Sequence, residues 1–461
     1  MNPPNILLIH SDQHRYDCIG GHKLREGIHT PNLDQLAAEG ATFSQAFATI
    51  PICTPARASL MTGAWPHQHG SFTITQAEVD RAARPEFPLL TELLSTEGYR
   101  VSWTGKYHGE TTQPPGAGRL GVADYRAAWD YKAYRERLGI PELVRDNGYF
   151  GTADLDCPAD RSPLAWQADQ VIEQIQDSSK APFFIRWDPP EPHLPCEPSQ
   201  PYAEKYKDLD LDPWPSFGDT LEGKPEILQR QRRIWNIEGW DWEKFLPTVR
   251  LYHAIIEELD ANIGRVLAKL EELGLSENTL VIYSTDHGDF CGGHGLMDKQ
   301  FCMYDDILQV PLIARWPGKI PAGVSPSVFV SNSIDIAQSI LSAAGIPAPD
   351  TFVGKDLLKL CTDPTYPSRE YAFAQYFGTQ TGLYSCRMIR DHRYKFVYHP
   401  TGTCHEFYDL ETDPGELKNL IGNPEIGPHE KRLRQALWDT MIECKDRLAS
   451  FWTEKEILGP T

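Results

Sequence analysis

Two features that would mark a nucleic-acid or membrane protein are missing from this 461-residue chain: a basic surplus and a long apolar run. Lys and Arg number 44 against 64 Asp and Glu, a formal net charge of −20. That excludes the cationic footprint that nucleic acids and anionic membrane surfaces require. No stretch approaches the roughly 18 apolar residues of a membrane-spanning helix. The opening Met1-Asn2-Pro3-Pro4 carries neither a basic segment nor a small-residue cleavage site, the marks of a secretory leader. Cysteine pairs are absent too. The ten cysteines are scattered and none forms Cys-x-x-Cys, which fits reduced thiols and not a disulfide framework or a zinc knuckle. There is no internal repeat or low-complexity tract. The expectation is an acidic, globular enzyme of the cytoplasm with no nucleic-acid or membrane partner.

What is present is alternation. Residues 5–10 (NILLIH) form a continuous apolar run of strand length, as for a strand buried on both faces. Thr30-Pro31 opens a short helix that Gly40 closes, and residues 89–97 repeat the pattern before Gly98 and a strand at 99–104. Further strands are predicted at 183–187 and 279–284, with a long amphipathic helix over 251–273. Repeated helix–strand units imply an α/β fold with a large, mostly parallel sheet flanked by helices. Residues 198–242, rich in Pro, Trp and charge, suggest an irregular insertion near the substrate entrance. Beyond about residue 364 the texture changes. Short strands at 386–390, 393–398 and 405–409, with turns at 391–392 and 400–402, suggest an antiparallel meander, followed by a helix at 430–450 carrying Leu433, Leu437, Met441 and Cys444. The expected division is a catalytic domain over 1–365 and a smaller C-terminal domain, antiparallel sheet plus helix, over 366–461.

Ligands of open parallel sheets bind outside the carboxyl ends of the strands. The residues that follow the apolar runs are Asp12 and Gln13, then Lys106 and His108, then His193, then Asp286 and His287, with Lys299 a short loop further on. Asp12, Gln13, Asp286 and His287 suit a divalent cation: carboxylate and amide oxygens favour Ca²⁺, and the imidazole leaves Mn²⁺ or Zn²⁺ open. Lys106, Lys299 and Arg57 add positive charge suited to a tetrahedral oxyanion, which points to hydrolysis of a sulfate- or phosphate-type ester.

Cys53-Thr54-Pro55-Ala56-Arg57 is the segment with most information. Thr54 has the character of a helix N-cap, Pro55 of a first-turn residue and Gly63 of a terminator, so Cys53 falls at a helix start that favours anions and lowers a thiol pKa. Cys-x-Pro-x-Arg, here CTPARASLMTG, resembles the signature of type I, formylglycine-dependent sulfatases of the alkaline phosphatase superfamily. The remaining motifs follow in family order: SDQHRYD, TPNLDQLAAEG, GKYH, EPHLP, TDHGDFCGGHGLMDKQFCMYDD and HEFYDLETDPGELKNLI. The resemblance covers essentially the whole chain and implies an alkaline-phosphatase-like fold.

It further implies that Cys53 is converted to Cα-formylglycine by a maturation enzyme, and that Asp12, Gln13, Asp286, His287 and residue 53 bind the metal. Arg57 would steady the aldehyde hydrate, and Lys106 and Lys299 would hold the sulfate. Many members have Asp where Gln13 stands, Asn where His287 stands and Ser where Ala56 stands; the Gln/His pair also occurs in related phosphonate monoester hydrolases. A hydroxyl of the hydrate attacks sulfur, His193 protonates the leaving oxygen, and His108 takes the second hydroxyl proton to expel sulfate, the two histidines being interchangeable at this level. His69 and His294 are further candidates for the subsite. Trp214, Trp235, Trp240, Trp242 and Tyr202 could stack on a sugar ring. The expected substrate is a small sulfated carbohydrate, with phosphonate monoester or phosphodiester hydrolysis as the alternative.

Overall fold

Seven strands build the main sheet: β1 (Asn5–Ser11), β2 (Ala41–Thr42), β3 (Arg100–Gly105), β4 (Val122–Ala127), β5 (Phe183–Asp188), β6 (Thr279–Thr285) and β7 (Leu312–Arg315). They are ordered β2-β7-β6-β1-β5-β3-β4. The computed structural model describes residues 3–20, 27–74, 82–116, 120–178, 181–378, 383–400 and 404–459. From β6 to β4 every pairing is parallel, while β7 runs antiparallel to both β6 and β2 at one edge.

The central strands are apolar throughout because both faces are covered. In β1, Ile6 and Leu8 enter one core, and Leu7 and Ile9 enter the other. β6 divides its residues the same way, Leu280 and Ile282 against Val281 and Tyr283. Helices Cys53–Thr62 and Asn332–Ala344 cover the first face; Pro163–Asp177 and Trp242–Glu272 cover the second. The last of these begins nine residues before the predicted 251. Asp241 caps it by accepting from the Lys244 N–H, and Pro247 is accommodated within it. The insertion is therefore only partly irregular, holding helices Tyr202–Tyr206 and Glu226–Trp235. The helix Pro31–Ala38 also departs from the simple cap: its first free N–H groups, on Asn32 and Leu33, bond the Asp260 carboxylate at 3.1 and 2.8 Å.

A second, antiparallel sheet runs β8 (Ala372–Gly378), β9 (Tyr384–Arg390), β10 (Tyr394–Tyr398), β11 (Glu406–Asp409) in sequential order. β8 was not anticipated, and residues 401–402 of the expected turn lie outside the described residues. One face, with Phe396 and Phe407, packs on Leu433, Leu437 and Met441 of helix Gly427–Glu443. Each such buried side chain contributes roughly 1.5–3 kcal/mol. The other face, with Val397 and Tyr408, joins the main core. The junction is also ionic. Lys395, fully buried on β10, donates to the Met303 carbonyl (3.0 Å), Asp305 (2.5 Å) and Glu416 (2.7 Å).

Candidate active site

Register puts the chemistry at one edge. Ser11 pairs with Thr285, and Gly105 with Asp188, so Asp12, Asp286, Asp188 and Lys106 emerge side by side where the parallel strands end. Gly105 is required for this approach. Its φ is +111°, and a Cβ there would meet the Asp188 carbonyl oxygen at 2.1 Å. The same backbone contact is a hydrogen bond, from the Lys106 N–H to the Asp188 carbonyl at 2.7 Å.

Cys53 is the first residue of its helix and Ile52 the N-cap, two positions earlier than the Thr54 cap the sequence suggested. The Thr54 hydroxyl instead donates to the His108 carbonyl at 2.9 Å, tying the helix start to the loop after β3. Cys53 Sγ lies 3.1 Å from His287 Nε2 and 3.6 Å from Asp12 Oδ1. One donor atom from each of Asp12, Cys53, Asp286 and His287 falls within 4.8 Å of the others, all four residues being buried. Arg57, one helical turn on, is fully buried; its guanidinium donates to Asp286 (2.9 Å) and Asp12 (3.1 Å) and lies 3.4 Å from Asp188.

Burial opposes ionisation of Cys53, but Lys106, Lys299 and His287 outweigh it and hold the thiol well below its ordinary value. Burial and the Cys53 charge likewise oppose ionisation of Asp12; Lys106, His193 and Arg57 prevail, and its carboxyl stays far below the usual carboxylate range. Burial lowers the His287 pKa, but Asp286 and Cys53 raise it to about 9. The donor chemistry fits a divalent cation: two carboxylates, an imidazole and a deprotonated group at position 53 converge in a buried space.

Gln13 enters this group through its backbone. At φ +69° its N–H donates to Asp286 Oδ1 (3.1 Å) and its carbonyl accepts from the Tyr252 hydroxyl (2.7 Å). Its side-chain amide bonds Asp289, Asp298 (3.0 Å) and Lys299 (2.7 Å). Lys106 Nζ meets Asp12 at 2.5 Å. Lys299 Nζ meets Asp298 at 2.9 Å and His193 Nε2 at 2.8 Å. The Lys299 loop is bent through three left-handed non-glycine residues, Asp298, Gln300 and Phe301, each costing about 1–3 kcal/mol. Gln231 of the insertion steadies it by donating to the Lys299 and Met297 carbonyls at 2.9 and 3.1 Å.

His108 hydrogen-bonds Cys53, and its own N–H donates to Glu110 at 2.8 Å. All the strand-end residues named from the sequence thus gather around Cys53. His69 and His294 have structural partners instead. His69 bonds Ser59 and accepts from the Ser71 N–H; His294 lies between Asp219 and Asp306. Trp214 and Trp242 are core residues whose indole N–H groups donate to the Cys291 and Leu211 carbonyls. Asp188, Arg186 and Glu110 were missed. They form a buried ionic layer beneath the site, with Arg186 2.5 Å from Asp188 and 3.4 Å from Glu110. Asp188 ends β5 and was open to the same strand-end argument as Asp12. Asp289, Asp298 and Tyr149 were missed as well.

A parallel sheet presenting a buried carboxylate–thiol–imidazole group, ringed by lysines and arginine, defines a hydrolase of the alkaline-phosphatase-like class. The chain aligns with a phosphonate monoester hydrolase from Silicibacter pomeroyi at a TM-score of 0.81, with 22% identity over 97% of each chain, a likeness of fold. Residues 4–346 match the family described as Sulfatase, and residues 292–443 the N-sulphoglucosamine sulphohydrolase C-terminal family. The chain belongs to the sulfatase family and is a sulfuric ester hydrolase. It is 29% identical to an arylsulfatase of Clostridium perfringens over 94% of this chain and 93% of that one. It is 25% identical to an N-acetylglucosamine-6-O-sulfatase of Bacteroides thetaiotaomicron, over 96% and 87%. Members of the family generally use a formylglycine and a divalent metal.

Proposed function

We propose that this sulfatase removes sulfate from a small sulfated carbohydrate, with Cys53 converted to formylglycine by a maturation enzyme and Ca²⁺, or alternatively Mn²⁺, held by Asp12, Gln13, Asp286, His287 and residue 53. The observation that carries the reading is the convergence of the Asp12, Cys53, Asp286 and His287 donor atoms within 4.8 Å. Relatives named for N-acetylglucosamine-6-O-sulfate and hexuronate-2-O-sulfate esters support a carbohydrate substrate. The ten free thiols support a reducing, cytoplasmic setting.

A bound divalent cation supplies neutralising charge and acidifies a hydroxyl at position 53. The chain's own residues do the rest. Lys106 and Lys299 hold the sulfate oxygens in a buried site where each charge–charge interaction is strengthened. Arg57 holds the Asp12 and Asp286 carboxylates in place. His193 protonates the leaving oxygen, and His108 accepts the proton released at residue 53 when sulfate departs.

The test combines mass analysis of the Cys53 peptide, after co-expression with a formylglycine-generating enzyme, with kcat/KM for a sulfate ester and a phosphonate monoester of one leaving group. An aldehyde at position 53, loss of turnover in Cys53→Ala and a faster sulfate ester are expected. Full activity in a verified unmodified Cys53 protein, or a phosphonate preferred more than about tenfold (1.4 kcal/mol), overturns the reading.

A further inference from the structure

Tyr149 stands beside His193, the proposed proton donor to the leaving group. The short turn Gly148–Phe150 turns its ring outward, 49% exposed, an unusual placement for a large side chain beside a buried catalytic group. The ring meets the His193 imidazole edge-on, centroids 6.4 Å apart at 82°. Trp235 of the insertion backs it at 5.7 Å and 38°. Phe150 packs on Trp235 at 5.7 Å and on Trp240 at 5.3 Å, and Trp240 rests on the fully buried Phe245 at 5.3 Å. The exposed ring therefore ends an aromatic row rooted in the core. It is held as a rigid surface and does not swing freely.

Two cations near Tyr149 have carboxylate partners. Arg145 is paired with Glu197, and Lys299 with Asp298. A flat aromatic surface favours a ring with an apolar face.

We propose that Tyr149, fixed by Trp235, is the leaving-group platform: it stacks on the apolar face of the sugar ring that carries the sulfate and makes a monosulfated pyranose a better substrate than an open-chain alkyl sulfate. This rests on the sulfated-carbohydrate reading above and adds to it which side chain selects the ring. Tyr149 is a specificity residue. It contacts the departing alcohol, and His193 handles the proton.

The experiment uses the formylglycine-bearing, metal-loaded enzyme with glucosamine 6-sulfate, a ring-position panel of glucose and galactose monosulfates, and ethyl sulfate. Tyr149→Ala should lower kcat/KM for the preferred sugar sulfate at least tenfold more than for ethyl sulfate, chiefly through KM. Tyr149→Phe, which keeps the ring face, should restore the preference, and Trp235→Ala should lose part of it. Equal losses on both esters, or an unchanged preference in Tyr149→Ala, would overturn the platform and leave the carbohydrate reading standing. A wild-type enzyme that turns over ethyl sulfate but no sulfated sugar would overturn both.

Discussion

Lys299 Nζ lies 2.8 Å from His193 Nε2, while His193 Nδ1 meets the Leu194 carbonyl at 2.5 Å. The carbonyl requires the proton on Nδ1, so Nε2 accepts from the lysine ammonium, which orients that nitrogen in the site. Replacing His193 by Asn should lower kcat by roughly 10²–10⁴-fold for an alkyl sulfate, whose alkoxide must be protonated as it leaves. For 4-nitrophenyl sulfate, whose leaving group needs no proton, the loss should be far smaller. A series of leaving-group pKa values measures this directly. Equal losses across the series would remove His193 from the acid role.

Arg57 holds together three buried carboxylates, Asp12, Asp188 and Asp286. Arg57→Met leaves Asp12 with Lys106 and Asp188 with Arg186 but strips Asp286 of its guanidinium, and breaking a buried ion pair costs about 3–5 kcal/mol. Urea unfolding of the metal-free variant should register a loss of that order, and divalent cation should recover part of it. A metal-free Arg57→Met protein as stable as wild type would contradict the assignment.

Asp12→Asn removes one of two anionic donors from the proposed cation site while keeping side-chain volume. After dialysis, elemental analysis should find about one Ca²⁺ or Mn²⁺ per wild-type chain, and substoichiometric metal in the variant, with turnover falling in parallel. Metal retained in full would show that the ion sits elsewhere.

Glu191 is held differently from Asp12. Burial, with Glu258 and Glu197 nearby, raises its pKa from 4.5 to about 7, although Gln167 partly offsets the rise. Its carbonyl accepts from the Asp12 N–H, so it supports the loop that carries His193. A carboxyl whose folded pKa is raised binds its proton more tightly in the fold. Its contribution is fully present below pH 4.5 and is lost as pH rises through 7. Glu191→Gln should therefore have a Tm advantage over wild type that opens between pH 4.5 and 7 and is constant above. Thermal scans across pH 4–8.5 test this, and a gap independent of pH would refute it.

The site was legible in the sequence to the extent that strand ends are legible. Asp12, Lys106, His193 and Asp286 follow short apolar runs, and parallel pairing in register brings such positions together whatever lies between. Arg186 was not recovered because it lies inside the apolar run of β5 and reads as strand content, while Asp188, at the strand's end, was passed over for His193 beyond the proline-rich turn. Trp214 and Trp242 could not be told from Trp235 by composition, since partners far along the chain decide which indole is enclosed. Strand β8 was missed because its apolar residues divide between two cores that only the folded chain defines, Phe373 in one and Ala372, Ala374 and Tyr376 in the other. The long helix was begun too late because Pro247 normally interrupts helical periodicity.

Cys53 is 1% exposed in the folded chain, closed in by strands and loops that follow it in sequence. On the proposed maturation, another enzyme must reach this residue, and it can do so only while the chain is still open. The ionic clasp of Lys395 with Asp305 and Glu416 is completed only by Glu416, roughly 360 residues downstream of Cys53. At about 5–20 residues per second of synthesis, that separation allows roughly 20 to 70 s between the appearance of the cysteine and the arrival of the clasp. The length of chain that follows Cys53 therefore acts as a timer. A variant that folds sooner around Cys53 would emerge more stable and less completely converted.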